Sequence, residues 1–174
     1  MNITGTMRAL DETRGAVRVE DLYDTDIQDL WEACTTPERL ARWMATVTGE
    51  PVLGGTVHAT FTSTWSGPVR IDACEAPHHL LVTSEPGGED ETQTELWLTA
   101  EGGRTRLVVE ERGLPVDAMH FYGAGWQVHL EDLAASLTSD NPVHADGWSA
   151  EEPAPRWKQR WQALTPDYQE RSVS

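Results

Sequence analysis

From Thr46 to Arg112 apolar and polar side chains alternate with a period of two, the pattern of half-buried strands. Val57, Ala59, Phe61, Ser63 and Trp65 share one parity, and His58, Thr60, Thr62 and Thr64 share the other. Ser66-Gly67-Pro68 reads as a turn, after which Val69, Ile71 and Ala73 continue the inward face. Ala76-Pro77 interrupts the pattern, and Leu80–Thr83 forms the next strand. Glu85–Glu91 is an acidic, glycine-containing loop. Thr94, Leu96 and Leu98 alternate in the strand that follows, with Trp97 on its outer face. Glu101-Gly102-Gly103 carries a hairpin signal, and Thr105, Leu107 and Val109 close the run. Two shorter extended segments, Thr6–Leu10 and Ala16–Leu22, come first, joined by a polar turn at Asp11–Gly15.

Elsewhere the period becomes helical. Ile27, Leu30, Trp31 and Cys34 recur at i, i+3, i+4 and i+7 behind Asp26, a residue suited to the N-cap. Thr36 can cap a second short helix that opens on Pro37 and turns Leu40, Trp43 and Met44 inward. The longest helix is expected within Gly113–Leu137, where Tyr122, Trp126, Leu130, Leu133 and Leu137 follow steps of 4, 4, 3 and 4, with Asp117 at its N-cap. Thr138–Pro155, rich in Ser, Asp, Pro and Glu, reads as a surface loop. Trp157, Trp161 and Leu164 predict an appended amphipathic helix over Arg156–Leu164 that docks on the body, and Asp167–Ser174 reads as a frayed tail.

Hairpin-linked strands make an antiparallel sheet, and helices segregated to one face make the chain α+β. About seven strands, curved around one long helix, are expected. The length of 174 residues favours a single domain. Its parts are a body over residues 1–137, a loop over 138–155 and a helix with tail over 156–174.

Several segments resemble a known family. Thr35–Trp43 reads Thr-Thr-Pro-Glu-Arg-Leu-Ala-Arg-Trp, and a glycine turn follows at Leu53–Gly55. Gly102–Leu107 has the form Gly-Gly-x-Thr-x-Leu, and Gly125–Leu133 has the form Gly-Trp-x-x-x-Leu-x-x-Leu. Together they make Gly15–Leu137 similar to the START/Bet v 1-like superfamily, in the branch named after the activator of Hsp90 ATPase. The resemblance implies the helix-grip (Bet v 1-like) fold, in which a curved sheet holds the long C-terminal helix around a cavity. Members that act on the chaperone carry a separate N-terminal domain, whereas this sequence begins almost directly on its first expected strand. The resemblance therefore implies a fold more than an activity.

Composition narrows the partners. With 29 acidic against 13 basic residues the formal net charge is −16, which repels phosphate backbones and anionic lipid, so neither nucleic acid nor membrane is expected. The opening residues lack the basic start and apolar core of a signal peptide. No run approaches the ~18–20 apolar residues of a membrane span. A cytoplasmic protein with Cys34 and Cys74 reduced is the simplest expectation. Eight tryptophans imply a core or a pocket built on indoles.

Strand parity and helical phase together define a candidate ligand-binding cavity. Its lining is expected from Trp43, Phe61, Trp65, Ile71, Leu96, Leu98, Leu107, Val109, Glu111, Tyr122, Trp126 and Leu130. Glu111 continues the inward parity of Leu107 and Val109, while Glu110 should face out. An enclosed carboxylate is costly unless hydrogen-bonded. Glu111, His129 and Tyr122 are the candidate proton-transfer groups. Gly123 and Gly125 mark either a hinge or a close packing of the helix on the sheet. His120 and His129 lie too far apart for one metal ion, and the adjacent His78 and His79 diverge if extended. No zinc, P-loop, dinucleotide or triad pattern is present, so no metal or cofactor is expected.

The leading expectation is a protein that binds a small apolar or amphipathic molecule. Two alternatives remain open. One is a polyketide cyclase/aromatase-like enzyme, as ring-closing members of the superfamily are. The other is an interaction module related to chaperone regulation, with a protein partner or homodimer meeting surface aromatics such as Trp97 and Trp148.

Overall fold

The computed structural model describes residues 4–171 and 173–174. Among them eight strands form one curved antiparallel sheet: β1 (Thr4–Ala9), β2 (Arg14–Tyr23), β3 (Ala45–Thr48), β4 (Thr56–Phe61), β5 (Ser66–Glu75), β6 (His79–Ser84), β7 (Thr92–Glu101) and β8 (Arg104–Pro115). Their order is β1-β2-β8-β7-β6-β5-β4-β3. From β3 to β8 the chain meanders through hairpins. Between β2 and β3 it crosses from one side of the sheet to the far edge through α1 (Ile27–Thr35) and α2 (Pro37–Leu40). The long α3 (Met119–Ser136) packs on β1 and β2, and α4 (Pro155–Gln169) packs on α3.

Local chemistry accounts for the helix boundaries. The Asp26 carboxylate caps α1 by accepting from the Asp29 N–H at 2.9 Å. Pro37 opens α2, but the Thr36 hydroxyl turns back to the Glu32 carbonyl instead of capping it. Asp117 caps nothing. It is exposed in a 3₁₀ turn, Val116–Ala118, and α3 starts after it at Met119, which is buried against the sheet.

Two expectations about the strands need correction. The sheet has eight strands because Ala45–Thr48 pairs with β4 at the edge; with four residues and one buried side chain it shows no readable period. The stretch Val57–Trp65 is not one strand. It turns at Thr64, whose φ is +82°, and the Phe61 N–H closes the turn on the Trp65 carbonyl at 2.8 Å. Ser66-Gly67-Pro68 therefore opens β5 rather than turning. At Gly67 a Cβ would lie 3.1 Å from the Trp65 indole, a tight contact that the glycine avoids. Glu110 lies on the outer face as expected, where Arg8, Arg18 and Arg112 cover it and leave it 4% exposed.

The C-terminal region is more ordered than its composition implies. The Val143 N–H bonds the Arg42 carbonyl at 2.8 Å, and the Ala154 N–H bonds the Thr62 carbonyl at 2.9 Å. The Trp148 indole donates to the Thr60 carbonyl at 3.0 Å, and His144 Nε2 meets Asp132 Oδ2 at 2.8 Å. Residues 138–154 thus form a strap bonded across the ends of the helical pair and β4. Helix α4 continues past Leu164 to Gln169, so that Tyr168 is fully buried and donates to Gln127 Oε1 at 2.7 Å. The expected tail is pinned to β1: the Ala9 N–H bonds the Ser174 carbonyl at 2.8 Å. Met1–Ile3 and Ser172 lie outside the described residues.

Trp31, Trp43, Trp126 and Trp157 all belong to the main hydrophobic core, beside Leu30, Leu107, Leu130 and Leu133. Both cysteines are free, Cys34 buried and Cys74 exposed. Among the described residues no helix is long and apolar enough to cross a membrane.

Candidate functional site

The concave face of the sheet, α3 and α4 surround a cavity of about 970 Å³. Strand alternation delivers Phe61 from β4, Ile71 from β5, Leu96 from β7, and Leu107, Val109 and Glu111 from β8 to its wall. Trp43, Trp65, Tyr122, Trp126, His129 and Leu130 line it as well. Leu98 does not. It pairs with Leu107 in the register but lies in closed core, 1% exposed, on the strand that α1 packs against.

Glu111 is the carboxyl group that β8 brings to this wall, which Glu85, Asp90 and Glu151 also line. One oxygen accepts from the Trp126 indole N–H at 2.8 Å, and the other accepts from the Thr92 hydroxyl at 2.8 Å. Lining the cavity leaves the side chain some accessible surface, but protein surrounds it, and this burial raises its pKa above the usual carboxylate value. The two donors act in the opposite direction by stabilising the anion. The outcome is a carboxyl whose charge is disfavoured by its surroundings yet held in a fixed orientation.

His129 stands one helical turn beyond Trp126, and their ring centroids are 5.4 Å apart. Phe61 and Trp157 flank it at 5.7 and 5.4 Å. No hydrogen bond from a described residue reaches the imidazole, and its Nδ1 is buried without a partner. Burial, aided by repulsion from His144, pushes the pKa down to about 3, so the ring is neutral at pH 7. It can then donate from one nitrogen and accept at the other.

Tyr122, the third candidate, is 41% exposed while lining the cavity, which puts it at the rim. The other histidines serve elsewhere. His79 bridges Glu75 and Glu95 on the outer face, His78 meets the Leu98 carbonyl, and His120 lies against Phe121. No group of His, Cys, Asp and Glu among the described residues is arranged to hold a metal ion.

Sequence reasoning missed part of the wall. Trp157 and Trp161 line the cavity, and Thr92 supports Glu111. The stripe of Trp157, Trp161 and Leu164 signalled a docking helix, but nothing in it told which surface the helix would cover. Gly123 and Gly125 face α4 and not the sheet. A Cβ on Gly123 would stand 2.7 Å from the Tyr168 ring, and one on Gly125 would stand 3.5 Å from Trp157. Gly123 lets α4 approach α3, whereas a side chain at Gly125 would meet Trp157 at ordinary contact distance.

A sequence profile described as activator of Hsp90 ATPase homolog 1-like protein matches residues 24–138. The chain belongs to this family. Within the START/Bet v 1-like superfamily, the activator of Hsp90 ATPase homolog 1-like branch has the helix-grip fold seen here. CalU16 from Micromonospora echinospora superimposes with a TM-score of 0.73 at 21% identity, over 97% of each chain. A protein from Bordetella parapertussis, encoded by gene BPP1335, gives 0.67 at 22% identity, over 91% of this chain and 87% of its own. These two likenesses concern the fold. DynU16, a protein in the dynemicin biosynthetic locus, gives 0.67 at 25% identity, over 72% of this chain and 48% of its own. No curated protein matches the sequence.

Proposed function

We propose that this protein binds a small apolar or amphipathic molecule in the cavity between sheet and α3. The observation that carries the reading is the cavity of about 970 Å³, walled by aromatic and aliphatic side chains with Glu111 and His129 among them. Protein interiors are close-packed and hold few voids larger than one water. Known ligand pockets span on the order of 300–1,000 Å³. The place of DynU16 in a biosynthetic locus is in keeping with a partner drawn from small-molecule metabolism.

A cyclase-like reaction is the second reading. It is favoured by two titratable groups of opposite kind facing one cavity: a carboxyl with a raised pKa and an imidazole held neutral. The interaction-module reading draws less support. Trp97 is covered by Arg18 and His79, and Trp148 is bonded into the strap.

Native mass spectrometry of the purified chain, before and after exposure to an organic extract of its source cells, tests the reading. A discrete added mass is expected. If that mass shifts with time, the bound molecule is a substrate and the cyclase-like reading takes over. An unchanged protein mass across extracts would count against any ligand role and turn attention to protein partners.

A further inference from the structure

One wall of the cavity comes from outside the part shared with the family. The profile match ends at residue 138, whereas α4 begins at Pro155 and brings Trp157 and Trp161 to the cavity. Their rings stack with centroids 5.7 Å apart and planes 15° from parallel. Beyond Trp157 the His129 ring follows at 5.4 Å and 34°. Beyond Trp161 comes Phe121 at 5.6 Å and 37°. Four rings therefore run in a row along the junction of α3 and α4, each inclined by no more than 37° to the next. The row is held firmly. The Trp161 indole donates to the Phe121 carbonyl at 2.9 Å, and Trp157 is 6% exposed in the main core.

An aliphatic wall would bury the same area without preference for ligand shape. Rings add a directional term, because a flat conjugated partner gains offset or edge contacts beyond area alone. At the inner end of the row the neutral His129 ring lines the cavity; its Nδ1 is sealed off by protein, which leaves Nε2 as the nitrogen that can face a ligand. We propose that the α3–α4 junction is a stacking subsite for a flat, conjugated ring system bearing a hydroxyl or carbonyl group, with the polar group met by the His129 imidazole. This rests on the ligand-binding reading and narrows it to a chemical class. It also draws two of the four rings from the C-terminal helix, beyond the profile match over residues 24–138.

The test is isothermal titration of the full chain with 2-naphthol and with decahydro-2-naphthol, which share a carbon skeleton and a hydroxyl but differ in conjugation. The aromatic compound is expected to bind about tenfold more tightly. Trp157→Leu and Trp161→Leu should each reduce that preference to roughly threefold or less, with 2-naphthol losing more affinity than decahydro-2-naphthol. Trp161 is only partly buried, so its variant should keep the fold, as checked by far-ultraviolet circular dichroism, even if Trp157→Leu does not. Equal binding of both compounds, or a preference that survives in the folded variants, would overturn the stacking subsite and leave the cavity reading intact. Binding of neither compound would overturn the subsite as well, and the extract experiment above would then decide the cavity reading separately.

Discussion

Glu111 and His129 share one cavity, and burial works against the charged form of each. The signs differ. The Glu111 pKa is raised, so between its unfolded and folded values the native state holds the extra proton, and stability falls as pH rises through that window. The His129 pKa falls from 6.5 unfolded to about 3 folded, so there the unfolded chain holds the extra proton. Its effect is to lower stability as pH drops below the unfolded value, by up to ~1.4 kcal/mol per pH unit. Replacing His129 by Leu should therefore flatten the melting temperature between pH 7 and pH 5 relative to the natural chain. His79, raised by its bond to Glu95, acts in the opposite direction, but it is present in both proteins and cancels in the comparison. Parallel pH profiles for the two proteins would mean that His129 is not held neutral. The inward parity of Glu111 was legible from strand alternation, and its partners were not. Thr92 and Trp126 lie 19 and 15 residues away, and only the β7–β8 register and the docking of α3 bring them to the carboxyl.

Between elements, the α3–α4 contact is open to test by a single substitution. Gly123 lies in α3 under the Tyr168 ring, where a Cβ would approach to 2.7 Å. Gly123→Ala removes a poor helix former, which alone would add ~1 kcal/mol. Overpacking against a fully buried Tyr168 should outweigh that gain, with a net loss of about 1–2 kcal/mol. The loss would be read as a lower urea midpoint with an unchanged slope. A midpoint that holds or rises would show that α4 can shift away freely. Periodicity could announce both helices, because each repeats its apolar side chains over several turns. It could not announce their contact, since glycine carries no side chain to read and its partner lies 45 residues on, beyond a strap of polar composition.

At the scale of the molecule, the strap and α4 belong to the same packing unit as the sheet. Ala154, Trp157, Leu164 and Tyr168 sit in the main core with Leu30, Leu107 and Leu130, and Ser174 returns to the backbone of β1. A chain ending at residue 138 should lose the cooperative melt and bind hydrophobic dyes, because it exposes that core surface and opens one wall of the cavity. A truncated chain that melts sharply near the natural temperature would instead make the C-terminal region a dispensable attachment.

The sequence alone determined the α+β class, the antiparallel hairpins, the long helix and the inward parity of the β8 residues. Those features rest on local rules: a period of two or 3.6, a proline or aspartate at a helix start, glycine pairs at a hairpin. Tertiary structure decided the rest. The turn at Thr64 depends on an uncommon positive φ, and the edge strand β3 is too short to have a period. Leu98 shares its strand face with residues on the cavity wall, yet α1 covers its end of the strand and takes it into closed core. The aromatic row joins rings from α3 and α4, elements that touch only once the whole chain has packed. Alternation tells which side of a strand faces inward. Whether that side meets another side chain or a cavity depends on what packs above it, and that is settled by contacts between residues far apart in the chain.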